Sequence, residues 1–334
     1  MPSRIGWLTI KENKILHYII FDMEWNQAFS AEKMVKHPVV LRGEIIQIGA
    51  VKLNEQKEVT DTCNLIIKPK FYKKMHWSVS KLTHIKTADL KNGSSFAEAI
   101  LMFQKFIGDD SVLCTWGPDD MGMLWDNLRV HGISAEWLPK SYDLQMIYDM
   151  EIAKINRQAA LEEAMEFLNE EILPSHDALN DALNTARVCR YLNLPEVFEN
   201  YEQREKEYEC RLTGADEVYH SEQKYENRDK ALENEELLSF ICPKCGEKGT
   251  LSGVIYQNGN KYLAVGTCAN KHGYMARLRI SKDHGDGVSA VRYLYELTEE
   301  RNEYYLAKKK RYDEKQKKFT EHLLALKKQQ RKAP

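Results

Sequence analysis

Acidic residues at wide intervals, together with one histidine, carry the clearest chemical signal in this chain of 334 residues. Asp22 and Glu24 follow the apolar run HYIIF, an acidic pair stands in TWGPDD, and His176 and Asp181 lie in HDALNDA. Carboxylates beside a buried strand need a compensating positive charge, because burying an unpaired charge is costly. Mg²⁺ and Mn²⁺ prefer carboxylate oxygen, and two such ions clamp the attacking and leaving oxygens of a phosphoryl displacement. The pattern therefore indicates metal-dependent phosphoryl chemistry.

The spacing of these residues predicts how they are carried. Asp22 and Glu24 are two positions apart on a predicted strand, so both point to the same face. His176 and Asp181 are five positions apart, which places them on different faces of a regular helix. We therefore predict that His176 lies in the loop before a helix and that Asp181 lies in its first turns. Taken alone, each fragment is more typical of a solvated strand end or helix start, and only their combination indicates a catalytic site.

The surrounding pattern predicts an α/β domain over residues 14–194. Three apolar runs at 16–25, 43–54 and 60–69 predict an antiparallel meander, because the connections are too short for crossover helices. The remaining predicted elements are a helix at 95–108, a strand at 111–117, a helix at 119–132, a strand within 140–148, and helices at 158–171 and 177–193.

Taken together, these features resemble the DEDDh branch of the 3′-to-5′ exonuclease superfamily. Members of that branch carry a strand-borne DxE, a central Asp and a final H-x4-D. The resemblance covers about Ile15 to Leu194. The five matching positions are Asp22, Glu24, Asp120, His176 and Asp181.

The TWG before the acidic pair is similar to the subgroup of histone-mRNA 3′ exonucleases and their bacterial relatives. Asp119 competes with Asp120 for the central position, and the spacing to the apolar Leu124 favours Asp120. The resemblance implies an RNase H-like mixed sheet flanked by helices, two Mg²⁺ or Mn²⁺ ions held by the four acids, and His176 as general base. It implies release of nucleoside 5′-monophosphates from single-stranded 3′ ends, with RNA favoured. DNA 3′-end processing and a non-catalytic nucleic-acid-binding adaptor are the alternatives.

The resemblance also suggests contacts to the terminal nucleotide from side chains near the motif, namely Met23, Trp25, Asn26 and Gln47. Trp25 would stack on a base, although a tryptophan after a strand is more often part of a core. Asp177 and Asp143 are predicted to cap helices.

Two highly charged stretches flank a third region of different composition. Residues 195–236 are polar and charged, which indicates a partly helical linker. Residues 296–334 contain strong helix formers and an excess of lysine, which predicts a basic helical tail. Its segment Lys308–Lys332 would add phosphate contacts that weaken with salt, or would be a solvated or partner-binding helix.

Between these stretches, residues 237–295 form a β-rich module with turn glycines. Its C-x2-C and C-x3-H motifs supply the donor set of one structural Zn²⁺ in a zinc ribbon, and buried free cysteines are the alternative. The four candidate ligands are Cys242, Cys245, Cys268 and His272. The surface of the module is either an ordinary solvated surface or a face for single-stranded nucleic acid. The side chains that suggest the latter are Lys244, Lys248, Lys261, Arg277, Tyr256, Tyr262 and Tyr274.

The overall composition bears on membrane attachment, secretion and disulfide bonding. No apolar stretch approaches the ~20 residues that span a bilayer, and the N-terminal segment lacks the apolar block of a signal peptide. The seven cysteines are odd in number and scattered, which is a poor disulfide framework. We therefore expect a cytoplasmic protein without membrane attachment, and the sequence leaves the oligomeric state open.

Overall fold

A computed structural model describes residues 17–282 and 287–330, with side chains up to His322. The predicted start of the first domain at residue 14, the N-terminal segment before it and the tail beyond residue 330 lie outside the described residues. The chain divides into two compact units, Met1–Tyr201 and Glu202–Pro334.

The first unit is built on a five-stranded mixed sheet in the order β3-β2-β1-β4-β5. The first three strands pair antiparallel, which confirms the predicted meander, whereas β1, β4 and β5 run parallel. The strands are β1 (His17–Asn26), β2 (Glu44–Leu53), β3 (Val59–Ile66), β4 (Ser111–Thr115) and β5 (Ser141–Asp143). This mixed sheet flanked by helices is the RNase H-like arrangement expected from the sequence.

Seven α-helices of the described first unit surround this sheet. Their bounds are α1 (Trp77–Thr83), α2 (Phe96–Ile107), α3 (Asp119–Val130), α4 (Leu144–Tyr148), α5 (Leu161–Phe167), α6 (Ala178–Cys189) and α7 (Leu194–Glu199). Helix α2 begins with a capping box, in which Ser95 and Glu98 each satisfy the other's backbone N–H. A π-helical turn, Asp149–Ala153, continues α4.

The central strand β1 separates two packing layers. Ile19, Phe21 and Met23 lie in one core cluster with Phe103 of α2 and Leu124 of α3. Helix α6 contacts β1 and β2, and Gly49 of β2, opposite Asp22, lies against the backbone of Ala178. Because side chains of a strand alternate between faces, the two acidic residues of β1 belong to the face that α6 approaches.

The second unit contains a six-stranded antiparallel sheet in the order β6-β11-β10-β9-β8-β7. Its strands are β6 (Glu217–His220), β7 (Ser239–Ile241), β8 (Lys248–Asn258), β9 (Lys261–Cys268), β10 (Gly273–Lys282) and β11 (Val288–Glu296). Its helices are α8 (Tyr201–Thr213), α9 (Arg228–Leu232), α10 (Glu235–Leu238) and α11 (Glu299–Gln330). The long helix α11 confirms the predicted basic C-terminal helix. None of the helices within the described ranges has the length and apolar character needed to cross a bilayer.

The segment 195–236, predicted as a linker, contributes a strand to this second sheet. Strand β6 pairs with β11, and Glu217 of β6 accepts a hydrogen bond from the guanidinium of Arg292 at 2.8 Å. Arg292 is only 2% exposed, so it requires such a partner. Part of the charged stretch that was predicted to be a linker therefore belongs to the sheet. The other domain bounds drawn from the sequence stay predictions.

Candidate active site

The acidic pair of β1 lies at the end of the strand where its pairing with β2 is irregular. Asp22 is opposite Gly49, and Glu24 is opposite Gln47. The next residue, Trp25, is opposite Ile45, so Ile46 of β2 has no partner on β1. A bulge of this kind bends the strand and increases its twist, so it changes the direction of the side chains beside it.

The central acid comes from the first turn of α3. Asp120 is 5% exposed, and its Oδ1 accepts a hydrogen bond from the backbone N–H of Met23 at 3.0 Å. Asp119, the alternative, is exposed. The carboxylate of Asp120 is bonded to the backbone of β1 between the two acidic residues of that strand. This position favours Asp120 over Asp119 as the central acid.

The TWG segment forms the turn that leads into α3. Gly117 has φ +91°, a conformation that favours glycine, and its carbonyl accepts a hydrogen bond from the hydroxyl of Thr115 at 2.7 Å. The N–H of Gly117 donates to Oδ1 of Asp143 at 3.0 Å, and the same oxygen caps α4 as predicted. Trp116 donates from its indole N–H to the carbonyl of Ala159 at 3.2 Å. These bonds fix the direction in which α3 starts.

The last pair of predicted residues lies at the start of α6. His176 is in the loop before the helix, with φ +64°, and its backbone N–H donates to Oδ2 of Asp181 at 2.9 Å. Asp177 is the N-cap and accepts a hydrogen bond from the N–H of Asn180, which confirms its predicted capping role. Potential ligand atoms of Glu24, His176 and Asp181 all lie within 4.8 Å of one another. The fold therefore brings together residues about 150 positions apart.

Burial and mutual repulsion raise the pKa values of this cluster. Burial raises the pKa of Asp22 well above its usual range, and the nearby charges of Asp120, Asp181 and Glu24 add to the shift. Burial, followed by the charges of Asp181 and Asp177, raises the pKa of Glu24 to about 7. Burial likewise raises the pKa of Asp120 and of Asp181. Such a site favours protons or cations, and its all-oxygen carboxylate donors suit hard divalent ions.

Two residues of β2 that the sequence did not single out for this role hold α6 in place. The side-chain amide of Gln47 donates to Oδ2 of Asp177 at 3.0 Å, and its oxygen accepts the N–H of Ala178 at 3.4 Å. At Gly49, an added Cβ would lie 2.1 Å from the carbonyl carbon of Ala178. Helix α6 therefore packs directly against the backbone of β2, an approach that only glycine permits.

Three of the four residues predicted to contact the terminal nucleotide are buried, and their contact with a nucleotide stays a prediction. Met23, Asn26 and Gln47 are 2%, 0% and 1% exposed. Met23 belongs to the core because strand alternation turns it away from the acids, and Asn26 bonds to backbone carbonyls at 72 and 74. Trp25 packs half-buried beside the core, and its stacking on a base stays a prediction.

The second unit contains a separate candidate metal centre. Its four candidate ligands, Cys242, Cys245, Cys268 and His272, have ligand atoms within 4.8 Å of one another. The Sγ atoms of Cys245 and Cys268 are 3.7 Å apart, and Nδ1 of His272 is 3.6 Å from Sγ of Cys268. Tetrahedral zinc, with bonds of about 2.3 Å to sulfur and 2.0–2.1 Å to nitrogen, separates its ligand atoms by about 3.6–3.8 Å. The arrangement therefore fits Zn²⁺, and the sulfur atoms are too far apart for a disulfide.

The fold and the site of the first unit define an exonuclease-type phosphodiester hydrolase. The sequence over residues 19–189, slightly more than half of the chain, matches the RNase T family, which is described as exonuclease. The chain belongs to this family. It is an exonuclease, and this match bears out the exonuclease resemblance found in the sequence.

The solved structures that are similar to this chain share little sequence identity with it. A 3′-exonuclease that recognises the 3′ end of a histone mRNA stem-loop is 19% identical with a TM-score of 0.46, and the match covers 55% of this chain and 82% of that one. Cell-death related nuclease 4 is 16% identical with a TM-score of 0.45, over 53% of this chain and 64% of that one. An E. coli exonuclease I complex with single-stranded DNA is 13% identical with a TM-score of 0.46, and the match covers 75% of this chain and 54% of that one. No curated protein sequence matches the chain.

Proposed function

We propose that the first unit hydrolyses single-stranded nucleic acid from its 3′ end and releases nucleoside 5′-monophosphates. The observation that carries this proposal is the convergence of Glu24, His176 and Asp181 within 4.8 Å, beside the repelling, buried acids Asp22 and Asp120. RNA is the favoured substrate because of the subgroup resemblance at TWG. DNA 3′-end processing would use the same residues.

The acids Asp22, Glu24, Asp120 and Asp181 would hold two Mg²⁺ or Mn²⁺ ions. When bound, the ions would supply the positive charge that activates the attacking water and offsets the charge developing on the phosphate. The acids would release their protons as cations bind, because their pKa values are raised in the protein alone. Metal affinity should therefore increase as the pH rises towards neutrality.

The role assigned to His176 is that of general base. Its imidazole is exposed, and a ring nitrogen lies within 4.8 Å of carboxylate oxygens of Glu24 and Asp181. A ring at the edge of the acid cluster can take the proton from the attacking water and pass it to solvent. The hydrogen bond from its backbone to Asp181 keeps the loop beside the first turn of α6.

For the second unit we propose one structural Zn²⁺ on the three cysteines and the histidine described above. All four positions of a tetrahedral ion would be filled by protein, which leaves none for substrate. We also propose a cytoplasmic location, because all seven cysteines are free and a reducing compartment keeps such thiols available to metal.

The activity test uses 3′-labelled RNA and DNA oligomers incubated with the purified full-length protein. We expect labelled mononucleotide as the first product with Mg²⁺ or Mn²⁺, no product with EDTA, and faster release from RNA. Absence of mononucleotide release under every condition would contradict hydrolysis and favour a non-catalytic adaptor. Faster release from DNA would contradict the preference for RNA.

Matched variants test the roles of individual residues. Asp120→Asn should abolish release, whereas Asp119→Asn, one residue away and exposed, should retain it. His176→Ala should lower turnover by about 10²–10⁴-fold, the usual contribution of a general base. Titration with Mn²⁺ should show that His176→Ala still binds metal. Near-normal turnover of this variant would defeat its proposed role, and a matching loss of metal binding would make His176 a ligand.

A further inference from the structure

A groove with several cationic side chains lies on the second unit, away from the candidate zinc ligands. A cavity of about 370 Å³ is bounded by β8, β9 and β10 and by the start of α11. Four cationic side chains line this groove: Lys261, Arg277, Arg279 and Lys308. No aspartate or glutamate is among its lining residues in the part of the chain that the structure describes.

Strand register concentrates these charges. Arg277 and Arg279 alternate with buried residues of β10, so they share one face of the sheet. Arg279 is directly opposite Lys261 of β9. Like charges in directly opposed positions destabilise a sheet, so this pair costs stability unless an anion lies between the two side chains.

Several other cations of this unit have acidic partners. Lys230 pairs with Glu233 at 2.8 Å, and Lys248 pairs with Glu235 at 2.7 Å. Among the side chains described, none of the four groove cations forms an ion pair with a carboxylate. The groove therefore keeps a positive charge that the protein itself does not neutralise.

Aromatic rings hold the arginines in position. The guanidinium of Arg277 lies 5.1 Å from the ring centre of Tyr295, and that of Arg279 lies 5.3 Å from the ring centre of Tyr293. Both tyrosines are buried in the core beneath α11. Such stacking orients the planar guanidinium groups without using up their N–H donors.

We propose that this groove binds the phosphate backbone of a single-stranded nucleic acid. Planar guanidinium groups such as those of Arg277 and Arg279 match phosphate in a bidentate manner. Tyr304 lines the groove and is 43% exposed, which provides a ring on which a base can stack. This exposed ring favours a nucleic acid over an acidic peptide, which would use only the charges. The choice of a single-stranded nucleic acid as ligand rests on the proposed function, but binding in the groove does not depend on hydrolysis.

The test measures the affinity of the full-length protein for a fluorescent single-stranded RNA 20-mer by anisotropy. No Mg²⁺, Mn²⁺ or chelator is added, and a gel confirms that the probe is intact, so hydrolysis has no part in the result. The double variant Arg277→Gln, Arg279→Gln removes two groove charges. Its matched control, Lys230→Gln with Arg190→Gln, removes two charges that already have carboxylate partners.

Counterion release fixes the expected size of the effect. For single strands, log affinity falls with log salt with a slope of about −0.7 per phosphate contact, so two lost contacts reduce the slope by about 1.4. The same relation predicts about 25-fold weaker binding at 0.1 M salt. The control should keep both the affinity and the slope. Tyr304→Ala, on the helix and independent of the sheet, should weaken binding by about 5-fold or more.

Two outcomes would overturn the proposal. In one, the arginine double variant, with an unchanged melting temperature, binds the oligonucleotide with the affinity and slope of the control. In the other, poly-glutamate binding is lost in the groove variants while oligonucleotide binding is retained, which would assign the groove to an acidic protein. Either result would leave the hydrolysis assay of the first unit unaffected.

Discussion

Substitution of Gly49 by alanine tests whether the active site depends on direct contact between α6 and β2. The added Cβ would lie 2.1 Å from the carbonyl carbon of Ala178 and from the amide nitrogen of Leu179, whereas ordinary contact begins at 3.4 Å. Both atoms belong to backbone and cannot rotate away. The first turn of α6 must therefore move back by about 1.3 Å, as the difference between these distances requires.

This movement would break hydrogen bonds that hold α6 and would displace two residues of the candidate active site. The hydrogen bonds of Gln47 to Asp177 and Ala178, at 3.0 and 3.4 Å, would exceed bonding distance. Asp181, in the first turns of α6, and His176, just before them, would move with the helix. A misplacement of about 1 Å typically costs about 10²-fold in catalysis, and overpacking costs about 1–3 kcal/mol of stability. We expect both losses in Gly49→Ala.

The assay is kcat/KM for mononucleotide release, measured alongside thermal unfolding and Mn²⁺ affinity. Gly122→Ala is the matched control, because Gly122 lies in α3 two residues after Asp120 and an added Cβ there meets only the flexible guanidinium of Arg42 at 3.7 Å. The control should gain up to about 1 kcal/mol from helix propensity and keep its activity. Wild-type activity and stability in Gly49→Ala would refute the claim that α6 is positioned by this contact.

Two further predictions concern pH and metal. Burial, reinforced by the charge of Lys70, lowers the pKa of His131 to about 4. Since the folded pKa is below the value of about 6.5 in the unfolded chain, the unfolded chain takes up the extra proton first. The contribution of His131 to stability is thus present above pH ~6.5 and is lost as the pH falls towards 4. In urea unfolding, His131→Phe should lose less stability than wild type between pH 7.5 and 5, and an equal loss would contradict this account. Elemental analysis should find one zinc per chain in the wild type and in Cys210→Ser, but none in Cys245→Ser; retention of zinc in the latter would exclude Cys245 as a ligand.

Local features of the fold were predictable because they depend on short-range patterns. Apolar runs defined the meander, and the interval between His176 and Asp181 placed one in a loop and the other in a helix, as the structure has them. The caps at Asp177 and Asp143 followed from the preference of short acidic side chains for free backbone N–H groups. The choice of Asp120 over Asp119 rested on spacing, and the burial of Asp120 agrees with it.

Features that depend on distant partners were not predictable. Strand β6 was missed because it is only four residues long within a highly charged stretch. It is held by pairing with β11 and by Arg292, which lies 75 positions from Glu217. The resemblance led us to expect that Gln47 contacts substrate. In the structure its side chain bonds to Asn64 of β3 and to the start of α6, about 130 positions away. The role of Gly49 depends on an approach of two backbones that no local pattern records.

The acidic residues of the candidate active site are held close together by the surrounding backbone, not by their own interactions. Burial, followed by the charges of neighbouring acids, raises the pKa values of Asp22 and Glu24, so both groups resist burial in the charged form. Their own contacts therefore do not keep them together. The backbone N–H of Met23 on Asp120, the amide of Gln47 on α6 and the close packing at Gly49 supply the opposing constraint. Loosening any of the three should let the carboxylates separate, so the earliest sign of damage should be weaker metal binding rather than unfolding.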